Sequence, residues 1–149
     1  MRGIRLAPAR HPPFDGEGAR LFGGRWNSAG VPLVYLSEQL SLAVLEALVH
    51  QDRRHLADDL IAYTVEIPHA LVEHRTEIPA AWFADPLRRQ ARRFGDAWIR
   101  EGRSLALHLP SAVILSEFNV LLNPKHAELK RVERVDEQPF VFDSRLRVG

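Results

Sequence analysis

Residues Pro32–Val49 read PLVYLSEQLSLAVLEALV. The first part, PLVYL, is short, apolar and flanked by turn residues, which predicts a buried strand over Pro32–Leu36. The second part changes period. Ser37 or Ser41 stands where a helix would be capped, and the helix is expected to end near His50 to Arg53. At about 100° per residue, Leu42, Leu45 and Val49 share one face, and Glu46 falls among them. Burying an unpaired carboxylate costs several kcal/mol, so something must pair with Glu46 or use it. One reading is a buried ion pair with an arginine. The other is a carboxylate at the floor of a cleft, its charge tuned by its surroundings.

The segment just upstream is Gly23-Gly24-Arg25-Trp26-Asn27-Ser28-Ala29-Gly30. Its two glycines allow backbone amides to approach a ligand closely. Arg25 offers a bidentate fork for phosphate, and Trp26 an aromatic face. Asn27 can donate and accept. The bland alternative is a tight turn with an exposed arginine, and for Trp26 simple packing. Neither the phosphate-loop pattern nor GxGxxG is present.

Residues 1–30 hold six of the nine glycines and read as loop and turn. Leu60 to Ile67 alternates and predicts a half-buried strand. Asp85–Pro86 reads as N-cap and N1 of a helix carrying Arg88, Arg89, Arg92 and Arg93, interrupted at Gly95 and ended by Gly102. Ser104–Leu109 and Ser111–Leu115 read as strands on either side of Pro110, and Val120–Leu122 as a further short run. Pro139–Arg147 is expected to add an edge strand. Short strands interspersed with two main helices give an α+β or mixed α/β class, with α+β as the expectation: one compact domain with a small mixed sheet and flanking helices.

The chain has 149 residues, 46% apolar, with 20 basic and 19 acidic side chains. A chain of this size buries about 68–70% of its unfolded surface, enough for one core. The near-neutral charge argues against a protein that coats phosphate backbones. No cysteine is present, which removes disulfides and thiol chemistry. Only Lys125 and Lys130 are lysines, so the other 18 basic residues are arginines. No apolar stretch is long enough to span a bilayer, and Met1–Asp15 does not read as a signal peptide. His50 and His55, like His69 and His74, are five apart, which is not the spacing of a helical metal site. The Arg88–Arg93 cluster admits a nucleic-acid-binding face, a solvated helix face or a surface for an acidic partner.

The parts combine into something more specific. Gly16-Glu17-Gly18-Ala19-Arg20, then Gly23 to Asn27, Val34-Tyr35, Leu42 to Glu46, Pro110-Ser111-Ala112-Val113 and Asn119 to Pro124 resemble, in order, the RES domain family. The resemblance runs from about residue 16 to 143, so residues 1–149 are expected to form a single RES domain. It places the family's arginine, glutamate and serine at Arg25, Glu46 and Ser111, with Tyr35 as a fourth pocket residue. It implies a fold similar to the ADP-ribosyltransferase toxins and a bacterial toxin acting on NAD as hydrolase, phosphorylase or ADP-ribosyltransferase. The implied partner is a DNA-binding helix-turn-helix antitoxin of the Xre type that occludes the toxin's active site. A cytoplasmic location is expected, no direct nucleic-acid or membrane binding, and assembly as a homodimer or a larger toxin–antitoxin complex.

Cleaving the nicotinamide–ribose bond builds positive charge on the ribose. Glu46 would stabilise that charge and bind the ribose hydroxyls. Arg25 would hold the diphosphate or orient the nucleotide. Tyr35 would stack the nicotinamide. Ser111 would bond the nicotinamide amide or a phosphate oxygen. Gly24, Trp26, Asn27 and Asn119 are candidate NAD contacts. No metal is expected, and since nicotinamide is already a fair leaving group, no strong general acid is demanded. Competing readings remain: Tyr35 as core, Ser111 as a turn residue, Asn119 as a turn-former, and the whole chain as a nucleic-acid-binding module using Arg88–Arg93.

Overall fold

The computed structural model describes all residues, 1–149. Seven strands form one sheet: β1 (Arg2–Pro8), β2 (Val34–Ser37), β3 (Leu60–Glu66), β4 (Val72–His74), β5 (Ala106–Pro110), β6 (Phe118–Leu122) and β7 (Glu133–Phe140). Their order is β4-β5-β6-β2-β1-β3-β7. Only β4–β5 is parallel; the other pairs are antiparallel. Four α-helices flank the sheet: α1 (Glu17–Phe22), α2 (Leu40–His50), α3 (Ala80–Ala84) and α4 (Arg89–Glu101). The class is α+β, as expected.

Alternation along the central strands builds two apolar layers. Val34, Leu36, Ala106, Val120 and Leu122 pack with Val65 and Ile67. Leu107, Leu109 and Leu121 lie one residue out of phase with these and pack instead with Leu33, Trp26, Ala91 and Trp98. Each fully buried leucine or valine contributes roughly 1.5–3 kcal/mol. The second layer is the one that carries α4. Ala91, Gly95 and Trp98 form its buried stripe, and the indole N–H of Trp98 donates to Ser104 Oγ at 2.7 Å.

Gly95 does not interrupt α4. It allows a contact: a Cβ there would lie 1.7 Å from the Trp26 carbonyl oxygen. The helix therefore rests directly on the Gly23–Ser28 loop. Asp96 then accepts from the Ser28 amide at 2.9 Å and hydroxyl at 2.6 Å, and Arg92 Nε donates to the Gly24 carbonyl at 2.9 Å. Gly102 ends α4 in the left-handed conformation, φ 61°, as its residue type favours.

Several local expectations are corrected. Residues 1–30 contain β1 and α1. The apolar positions Ile4 and Leu6 are too few to announce a strand, and Gly18 weakens the helical signal; pairing of β1 with both β2 and β3 supplies what local sequence does not. α4 begins at Arg89, because the Asp85 carboxylate accepts from the amides of both Leu87 and Arg89 and closes a turn before the helix. Ser111–Leu115 is not a strand. The Ser111 hydroxyl accepts from the amides of Val113 at 3.0 Å and Ile114 at 3.1 Å, which bends the chain. The edge strand is Glu133–Phe140 rather than Pro139–Arg147. Neither Ser37 nor Ser41 caps α2; Gln39 precedes it, with no side-chain cap.

The inner face of α2 is also rotated from the expected one. Leu42 and Ala43 are buried, whereas Leu45 is 39% and Val49 61% exposed. Glu46 points inward in the company of Leu42 and Ala43, not of Leu45 and Val49.

Candidate active site

A cavity of about 580 Å³ opens between α2, the Gly23–Ser28 loop and the Tyr35–Asn119 side of the sheet. That lies within the range of small-molecule sites, about 300–1,000 Å³. Its charged lining consists of Arg5, Arg25, Arg88 and Glu46, with His50 beside them.

Glu46 is delivered by α2 and fixed by the sheet. Its Oε1 accepts from Ser111 Oγ at 2.8 Å and from Asn119 Nδ2 at 2.8 Å. Asn119 is itself oriented, since its Oδ1 accepts from Ser37 Oγ at 3.0 Å. Oε2 faces His50 Nε2 at 3.7 Å, and the Glu46 side chain is 22% exposed. Burial alone would raise this carboxyl, but the contacts with His50, Asn119 and Ser111 outweigh it and hold the group below its ordinary value. Glu46 is thus an anion in the cavity lining, with Oε1 saturated and Oε2 beside His50. The register explains the convergence. Tyr35 opposes Leu121 and Ser37 opposes Asn119 across β2–β6, while Leu109 opposes Asn119 across β5–β6. Ser37, Asn119 and Ser111 therefore fall on one face at one end of three adjacent strands.

The glycine-rich loop supplies the opposite charge. Tyr35 organises it: the phenol oxygen accepts from the Trp26 amide at 2.9 Å and the hydroxyl donates to Asn27 Oδ1 at 2.7 Å. A side chain at Gly24 would meet that phenol oxygen at 2.5 Å. Burial pushes the Tyr35 phenol well above its ordinary value, so the ring is a neutral wall of the cavity. Arg25 sits over the Phe83 ring at 5.5 Å, and its Nη1 is buried with no hydrogen-bond partner. Burial and then the charge of Arg88 lower its affinity for its proton.

Of the eight sequence-derived candidates, Gly24, Arg25, Trp26, Tyr35, Glu46 and Asn119 line the cavity. Ser111 and Asn27 do not. Ser111 is fully buried, and its hydroxyl is committed to Glu46 and to its own turn. Its position is that of a support for Glu46, and the turn reading also holds. Asn27 is buried, with its amide nitrogen donating to the carbonyls of Ala19, Ser28 and Val31. It shapes the loop from behind. Trp26 is 2% exposed and packs edge-on against Trp82, Phe83 and Phe94.

Three lining residues escaped the sequence. His50 follows Glu46 at i, i+4, a spacing that could have flagged it. Arg5 reaches the cavity from β1, donating Nη1 to the Tyr35 carbonyl at 3.2 Å. Arg88 belonged to the arginine cluster, which the structure disperses. Arg89 pairs with Asp85 at 3.1 Å, Arg92 bonds the Gly24 carbonyl, Arg88 lines the cavity, and Arg93 stays exposed. A contiguous basic face for nucleic acid is not formed by these four.

The RES domain profile matches residues 3–143. The chain is 32% identical over 138 residues to the Prs ADP-ribosylating toxin of a Sphingobium species, covering 89% of this chain and 86% of that one. It is 36% identical over 137 residues to Toxin Res of Yersinia enterocolitica, covering 90% of each. Its fold matches a chain in the crystal structure of the M. tuberculosis MbcT–MbcA toxin–antitoxin complex, with a TM-score of 0.71, 18% identity and coverage of 94% of this chain and 84% of that one.

Proposed function

The chain belongs to the RES domain family, and from that premise we propose that it cleaves the nicotinamide–ribose bond of NAD and serves as the toxin of a toxin–antitoxin pair. The observation that carries this reading is the Glu46 carboxylate, ionised, with Oε1 saturated by Ser111 and Asn119 and Oε2 beside His50, in the lining of a cavity that also holds Arg25. As the C1′–N bond lengthens, its electron pair leaves with nicotinamide and the ribose becomes oxocarbenium-like. A fixed anion next to that ribose stabilises the developing charge without reorganising. Oε2 accepts hydrogen bonds from the ribose hydroxyls, Tyr35 walls the nicotinamide, and Arg25 faces the diphosphate. Attack by water then gives ADP-ribose and a proton; attack by phosphate gives the 1″-phosphate of ADP-ribose.

Transfer of ADP-ribose to a protein is a second reading, favoured by the name of the Sphingobium relative. The partner we propose is an Xre-type antitoxin that covers the cleft. Its support is that the structural neighbour comes from a toxin–antitoxin complex. No helix is long and apolar enough to cross a membrane, and the reading places the protein in the cytoplasm, where NAD is available.

The test follows nicotinamide release from NAD, with and without phosphate, for the parent chain, Glu46→Gln and Arg25→Ala. Release that both substitutions suppress supports the reading, and a dependence on phosphate selects phosphorolysis. Release that is absent, or equal in all three, overturns it. Radiolabelled NAD in a lysate reads out protein ADP-ribosylation, and growth arrest relieved by a co-expressed antitoxin tests the toxin role.

A further inference from the structure

Arg88 is the only non-glycine residue with positive φ, at φ 55° and ψ 29°. Side chains rarely adopt that conformation, and helix N-caps ordinarily sit in the extended region. The other end of the same helix shows what an unconstrained choice looks like, with Gly102 at φ 61° and ψ 23°. A glycine at position 88 would relieve the strain, yet an arginine stands there. The strained turn also inverts the usual sorting of side chains. It leaves Leu87 63% exposed and turns the half-buried Arg88 into the cavity lining.

What Arg88 meets there is more positive charge. Three guanidinium groups and one carboxylate line the cavity. Arg25 and Arg88 have no ion-pair partner, in contrast to Arg89, which holds Asp85. The Arg25 Nη1 is buried and unpartnered. Like charges gathered in a half-buried cleft oppose folding unless an anion is to be received. Backbone strain kept at such a place is a sign of function.

We propose that Arg88 is a substrate-binding residue, which with Arg25 forms a two-guanidinium clamp for the diphosphate of the dinucleotide. This rests on the reading of the cavity as an NAD site. It also assigns the strained turn before α4 a purpose, namely to aim one arginine of a cluster inward while its neighbours stay on the surface.

The test titrates inorganic pyrophosphate, ADP-ribose and nicotinamide into the parent chain, Arg88→Ala, Arg88→Gly and Arg89→Ala. Losing a charge-assisted contact weakens binding by about tenfold or more. Arg88→Ala is expected to lose that much for ADP-ribose and pyrophosphate and nothing for nicotinamide. It should also raise KM for NAD while kcat stays near the parent value. Arg88→Gly should bind as poorly yet melt no lower than the parent, which separates lost contact from lost fold. Arg89→Ala, with the same change in net charge, should bind ADP-ribose and pyrophosphate as the parent does. If Arg88→Ala binds both diphosphates with parental affinity, or if Arg89→Ala loses as much, the clamp is overturned. If nicotinamide release is intact while the diphosphate affinities are unmoved by Arg88→Ala, the NAD reading stands and the clamp falls. If the parent releases no nicotinamide but pyrophosphate binding collapses in Arg88→Ala, the clamp stands and the NAD reading falls.

Discussion

The two charged walls of the cavity are built on opposite plans. On the anionic wall every neighbour is accounted for: Ser37 orients Asn119, and Asn119 and Ser111 hold Oε1 of Glu46. On the cationic wall Arg5 comes from β1 and bonds the Tyr35 carbonyl, whereas Arg25 and Arg88 are placed by loop and turn backbone, and Arg25 keeps an unpartnered nitrogen. A group that must act on a transient charge has to be fixed before the reaction. A group that binds a stable charge can wait for its ligand to satisfy it. On the proposed function, the anionic wall is complete in the free protein, and the cationic wall is left for the substrate to complete.

The sharpest way to break this contrast is Glu46→Gln. It keeps the size and the hydrogen bonds but removes the charge, so kcat should fall about a hundredfold or more with little change in melting temperature. A kcat near the parent value would mean the carboxylate is only structural. Next in size is Arg25→Ala. The loss of one charge-assisted contact, roughly 1.5–3 kcal/mol, should appear in KM for NAD as about a ten- to hundredfold increase, with kcat affected less. A fall in kcat alone would place Arg25 on the same footing as Glu46.

Gly95→Ala tests the support of the cationic wall. The added methyl meets the Trp26 carbonyl, and overpacking of this kind costs about 1–3 kcal/mol, read as a lower melting temperature together with weaker NAD binding. Ser111→Ala tests the anionic wall from behind. The bond it removes helps hold the Glu46 carboxyl down, so the folded value rises and the acid limb of kcat/KM moves to higher pH. The same linkage gives the sign for stability. A carboxyl lowered on folding stabilises above its unfolded value and loses that contribution as the pH falls through the folded one. An acid limb that does not move would detach Ser111 from Glu46. The smallest effect belongs outside both walls: Val49→Ser, at an exposed position, should change stability by less than about 0.5 kcal/mol.

The anionic wall was the more legible of the two in the sequence. A carboxylate in an apolar helix announces itself by its cost, and β2, β3, α2 and the Gly102 stop follow from local pattern. The exact face of α2 did not follow, because Leu45 and Val49 are apolar yet left outside. Ser111 was placed by resemblance with an expected bond to nicotinamide or phosphate, but its hydroxyl serves Glu46 instead. Its donation to Glu46 depends on strand register across β2, β6 and β5, which no single segment encodes. On the cationic wall Arg25 was legible through its glycines, whereas Arg88 was lost in a run of arginines. What distinguishes it is a backbone conformation fixed by Asp85 and by the packing of α4, and helical spacing would have placed it on the solvent face. β1 stayed hidden because its order comes from two partners rather than from its own seven residues.

The strand order has a consequence for the chain as it is being made. Glu46 lies in the first third of the sequence, but the donors that fix it, Ser111 and Asn119, come from β6 and the end of β5. β2 has β1 on one side and, until residue 118 is reached, nothing on the other. A nascent chain therefore carries the acid long before it carries the groups that set its position. The surroundings of Glu46 are completed only once β6 has been made, with β7 still to follow.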